Sequence, residues 1–143
     1  MRYDRKYLVW ALSYAIAGMC LGIFMAASHN HAQHVTHAHI MLVGFVVSLI
    51  YGVIHRLWLG HCSAHLARLQ FIAHHAGALA MFTGLLLLYG GMMEEATIEP
   101  LLSLASISVL TAAILMLGMA IKANRVHATQ QQEAAVIPLA DDA

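Results

Sequence analysis

Charge is scarce in this sequence. Only 10% of its residues are Asp, Glu, Lys or Arg, and the two signs cancel. Without net charge or a cluster of lysines and arginines there is nothing to attract a phosphate backbone, so nucleic acid is excluded as a partner. Cysteine is scarce too. Cys20 falls in an apolar run and Cys62 in a short link, so there is no CxxC metal knot and no disulfide is expected. The sequence has no phosphate loop, no nucleophile triad and no pair of carboxylates inside an apolar run. All seven carboxylates lie in links or tails, which removes the buried acid that proton pumps commonly use.

Apolar residue is what the chain has in excess. It makes up 61% of the sequence, against roughly half in soluble domains. The runs are long enough to cross a hydrocarbon layer as helices. They fall at about 7–27, 35–59, 69–93 and 101–121. The sequence therefore predicts an all-α integral membrane protein. Residues 1–125 form one four-helix transmembrane domain, and 126–143 form a polar, alanine-rich tail expected to be disordered and cytoplasmic. The first run is longer than a signal peptide's and no A-x-A cleavage site stands out, so it reads as a retained helix. The nine methionines read as helix packing in lipid.

The few charges orient the chain. Arg2, Arg5, Lys6, Arg56, Arg68, Lys122 and Arg125 all fall at the N-terminus, in the link between spans two and three, or after span four. The other two links hold no Lys or Arg. The positive-inside rule then puts both termini in the cytoplasm, as in a multi-pass protein of a bacterial inner membrane. The histidine-bearing link 28–36 and the acidic link 94–99 face outward. Short links make neighbouring helices antiparallel. Span four carries Ser103, Ala105, Ser106, Ser108, Thr111, Ala112 and Ala113, small residues that permit close helix approach. It reads as a packing helix, at an oligomer interface or against span one.

Eleven histidines outnumber the seven lysines and arginines. Imidazoles at membrane depth are costly unless paired, hydrated or bound. His37 and His39 stand at the outer end of span two, about 200° apart around a regular helix, and so point to opposite flanks at one depth. His55 shares the face of His37, about 27 Å further along. His74 and His75 fall near the depth of His55, which suggests a second, inner site. Each of His37, His39, His74 and His75 could instead be a buried imidazole bonded to a carbonyl or a serine. His29, His31, His61, His65 and His127, near helix ends, read as interfacial polar residues, and His34 is a candidate metal ligand. The cluster His29 to His39, with Met25 or Met41, could hold zinc or copper. Haem needs one or two axial imidazoles in an apolar wall. Span two supplies these, with Gly44 and Gly52 leaving room for a macrocycle or a close helix.

The segment Val35-Thr36-His37-Ala38-His39-Ile40-Met41-Leu42, continuing through Gly52 to Trp58, resembles the tenth transmembrane helix of the catalytic subunit of haem–copper oxidases and nitric oxide reductases. There a His-x-His pair serves two haems, one imidazole to each. The resemblance implies that His37 ligates the oxygen-reducing haem and His39 the low-spin haem. It further implies b-type haem, with copper as the other candidate metal, and electron transfer or O2 or NO chemistry as the role. If the chain is an enzyme it would be an oxidoreductase, with a quinol or a cytochrome as redox partner. No His-Pro-Glu-x-Tyr motif is present, so the resemblance reaches haem ligation and not a full oxygen-reducing centre. In that family the helices form three arcs of four. A four-helix chain would rebuild the arrangement as a homo-oligomer, a trimer first and a dimer second. The alternatives are a copper- or zinc-binding or transport protein that uses the outer histidines, and a metal-free assembly partner of a respiratory complex.

Overall fold

The computed structural model describes residues 2–60 and 62–136. They form four helices, α1 (Tyr3–Ser28), α2 (His34–Leu57), α3 (Ala64–Tyr89) and α4 (Glu95–Val136). All four are long and apolar enough to cross a membrane. Each expected span is matched by one helix.

The helix ends follow local chemistry. α1 stops where His29 turns left-handed (φ 54°) and returns its N–H to the Ala26 carbonyl, so His29 serves as a terminator. α3 stops at Tyr89, short of the expected Met93. Gly91 takes φ 67°, and the N–H of Met92 reaches back to the Leu87 carbonyl, a glycine-based C-cap. α4 starts at Glu95, before Pro100 instead of after it. A proline near a helix start removes few bonds, and Glu95 suits the positive end of the helix dipole.

At its far end α4 runs on to Val136, through the first part of the stretch 126–143 that was expected to be a tail. The stretch 123–136 contains no proline or glycine and is rich in Ala and Gln, both good helix formers. The remainder of the expected tail, 137–143, lies outside the described residues. α2 is α-helical at both ends but π-helical over Ile40–Val47. The wider turns begin directly after His39, and such stretches are rare and concentrate at functional sites.

The helices are antiparallel in chain order. Gly52, late in α2, rests on Tyr7 and Asp4 of α1, while Gly22, late in α1, rests on His37. In the same way Cys62 meets Met119, and Gly84 meets Leu102. Gly77 is required where it stands, because a Cβ there would lie 3.0 Å from the Ala105 carbonyl of α4. α4 thus packs along α3, where the sequence suggested span one or an oligomer interface. The α1–α2 and α3–α4 hairpins are held apart by large rings: Tyr7, Tyr14, Tyr51, Phe71, Phe82, His74 and His75. One end of the bundle gathers Asp4, Arg56 and Lys122, and the other gathers His29, His31 and Glu94. Leu12, Ile16 and Ile23 of α1 and Leu104, Ile107 and Leu110 of α4 face outward, as lipid-facing residues do.

Candidate functional site

α1 turns Tyr7, Ala11, Tyr14, Gly18 and Met25 inward, at helical spacings of three, four and seven. Polar groups gather at two levels along this seam.

At the histidine-rich end lies the His-x-His pair. The Nδ1–H of His37 donates to the Gly18 carbonyl at 2.9 Å, across to α1. Gly22 makes room for the ring, since a Cβ there would sit 3.1 Å from His37 Cε1. The Nδ1–H of His39 donates to the Val35 carbonyl of its own helix at 2.8 Å. His34 does the same to the His31 carbonyl at 3.0 Å. A carbonyl only accepts, so each bond fixes the proton on Nδ1 and leaves a lone pair on Nε2. His37 and His39 are half-buried and His34 is exposed. Of the three, His37 is the one that bonds to α1.

The second level is deeper, around Tyr7. This ring is fully buried and donates its hydroxyl to Gln70 Oε1 of α3. His55 stacks on it with centroids 5.6 Å apart, His75 approaches to 5.2 Å and His74 to 6.0 Å. His74 Nε2 pairs with Ser48 Oγ of α2 at 2.9 Å, and His75 Nδ1 with the Tyr14 hydroxyl of α1 at 3.1 Å. Trp10 and Phe71 close over His75, with centroids at 4.8 and 4.4 Å. His55 Nε2, Gln70 Nε2, His74 Nδ1 and His75 Nε2 find no partner. An orphaned buried polar group costs about 1–3 kcal/mol, so four in touching residues call for something that binds them.

His55, His74 and His75 do converge, as the sequence suggested, but around Tyr7 and not around an open slot. Gly44 and Gly52 are filled by α1. A Cβ at Gly44 would lie 2.9 Å from Tyr14 Cγ, and one at Gly52 would lie 3.2 Å from Tyr7 Cβ. Of the two uses foreseen for these glycines, the close helix is the one realised. Among the described residues no three of His, Cys, Asp and Glu are placed to share a metal ion. His34, His37 and His39 therefore do not form a single-chain cage.

Tyr7, Tyr14, Ser48 and Gln70 were not singled out from the sequence. A signal was there. Tyr7 and Tyr14 are seven apart, Ser48, Tyr51 and His55 step by three and four, and Gln70 and His74 are four apart. These are polar stripes at helical spacing on otherwise apolar spans.

The chain matches no protein-family model, no curated protein and no solved structure.

Proposed function

We propose that this is a haem-binding membrane protein, with His37 and His39 as axial ligands, acting in electron transfer or in O2 or NO chemistry. One observation carries the reading: both rings of the His-x-His pair have Nδ1 tied to a backbone carbonyl and Nε2 left with its lone pair. Metal-ligating histidines are commonly held in this way, with the tethered nitrogen fixing tautomer and ring orientation.

The rings also act singly. Zinc or copper held by histidines asks for several donors at one point, whereas haem takes one imidazole on each side. When bound, haem would supply a one-electron couple and a position for a diatomic ligand. The chain's own part is to hold two lone pairs at one depth and to offer an apolar wall. His39 is half-buried and α2 exposes Leu42, Val46, Val53 and Leu57, so the macrocycle would rest outside this helix. A second surface is then needed to cover it, and a further copy of the chain, in a trimer first or a dimer second, supplies one.

The end of the bundle with Arg2, Arg5, Lys6, Arg56 and Arg68 is the cytoplasmic one on this reading, and the membrane is a bacterial inner membrane. The test is the absorption spectrum and metal content of protein purified from haem-replete cells. A Soret band that is lost or shifted in His39→Ala is expected. A colourless protein, or copper or zinc without porphyrin, would end the proposal.

A further inference from the structure

The last membrane turns of α4 and the link that joins α2 to α3 enclose an apolar slot of about 350 Å³. Leu59, Cys62 and Leu66 form one wall, and Ile114, Leu115 and Met119 of α4 form the other. One side of the slot is closed by packing. Cys62 Sγ rests on Met119 Sδ at 3.1 Å, and Leu59 and Met119 belong to one buried cluster with Tyr7 and Tyr51. His55, His74 and His75 take no part in the walls.

Two residues mark the slot as a binding site. The first is Gly118. The glycines at 44, 52, 77 and 84 each have a neighbouring helix packed against them, whereas a Cβ at Gly118 would meet nothing within 4 Å. Gly118 lines the slot, so the room this glycine leaves is part of the cavity. The second is Lys122. It follows Gly118 by one turn, on the same stripe as Ile114, and it is the one charged residue among those that line the slot. Among the described residues both ion pairs belong to Asp4, and neither reaches Lys122. The ammonium is near enough to the Cys62 thiol to favour its thiolate, which places the charge beside the slot. From Ile114 to Lys122 the helix rises about 12 Å. A cation thus stands at the basic end of an apolar slot that runs toward the middle of the bundle.

We propose that this slot binds a single-chain anionic lipid, a long-chain fatty acid, with its carboxylate on Lys122 and its chain against Ile114, Leu115 and Gly118. Charge and size select that occupant. One unpaired ammonium matches one carboxylate through a charge-assisted hydrogen bond. Ligand pockets run from about 300 to 1,000 Å³, and a slot at the small end of that range takes one chain and not the two of a phospholipid. The inference rests on the four helices being membrane spans, which brings lipid to the slot, and not on haem binding.

Cys62 makes the test direct, because a chain in the slot covers its thiol. The full chain with Cys20→Ala is placed in phosphatidylcholine nanodiscs, and Cys62 is labelled with a maleimide at mildly alkaline pH, with and without palmitate. Palmitate at several times its dissociation constant is expected to slow labelling at least about fivefold. Methyl palmitate, which lacks the charge, should do far less. Lys122→Gln should weaken palmitate about tenfold, the worth of one hydrogen bond to a charged group. Gly118→Leu fills the slot without meeting a neighbour, and should abolish the protection. Each variant is compared with itself, so a changed acidity of the thiol does not enter. Both variants should carry as much haem as their parent, so this reading and the haem reading fail separately. No protection by palmitate, equal protection by its methyl ester, or protection unmoved in both variants would overturn the proposal. Slow labelling in phosphatidylglycerol discs without palmitate would put a two-chain lipid in the slot, and labelling that slows as copies per disc rise would put a second copy of the chain there. Either result overturns it as well.

Discussion

The Tyr7 hydroxyl and the Gln70 side-chain carbonyl, 63 residues apart in the chain, meet in a fully buried hydrogen bond that joins α1 to α3. The two hairpins otherwise touch mainly through rings, so this bond and its neighbours set their spacing. Removing the hydroxyl leaves both polar atoms of Gln70 unpaired in an apolar interior. Tyr7→Phe is expected to lower unfolding stability in detergent by about 1–3 kcal/mol, measured by chemical or thermal unfolding. A variant as stable as the wild type would show that water already competes for Gln70.

Gly22 is the clearance that lets His37 lie against α1. A side chain there would press on a ring whose Cε1 is 3.1 Å from the Cβ position. Gly22→Val should break the His37–Gly18 bond and turn Nε2 away. We expect an altered or lost Soret band at a stability cost of about 1–3 kcal/mol. A full spectrum would remove His37 from the ligand set.

His74 separates the two levels of the seam. Its ring is packed by Tyr51 and His75 and bonded to Ser48. His74→Ala opens a cavity and should cost about 2–4 kcal/mol, while haem binding per folded molecule is retained. If His74→Ala bleaches the protein and His39→Ala does not, the haem level has been placed at the wrong end.

Orientation can be read with thiol reagents. With Cys20 and Cys62 replaced by Ala, Asn30→Cys should react with an impermeant maleimide from outside the cell. Cys62, in the wild-type chain, should be reached only after the membrane is opened. Burial pushes its thiol above the usual range, with Lys122 nearby pulling partly back. Little thiolate then exists at neutral pH, and labelling should quicken as pH rises. Asn30→Cys that labels only in opened membranes would invert the topology.

Much of the architecture was legible because it depends on composition and length. A run of apolar residues long enough to cross a bilayer has few options besides a helix, and each of the four runs became one. The ends shifted where a single residue decided them: Gly91 shortened α3, and Pro100 sat inside α4 without stopping it.

The environment of the histidine rings was not legible. Helical periodicity tells which side a residue takes, but not which helix lies there or how closely. Glycines at 44 and 52 admit a macrocycle or a neighbouring helix equally well in sequence. Only the antiparallel fit of α1 on α2 decided for Tyr14 and Tyr7. The shared depth of His55, His74 and His75 was legible, but that Tyr7 and Gln70 join them depends on contacts between residues far apart in the chain. The sequence by itself determined four apolar helices and where along the chain its few charges fall, because length and composition are local properties. Tertiary structure alone decided that the inner histidines surround a tyrosine and keep one nitrogen free each, because that follows from how close two hairpins can come when aromatic rings stand between them.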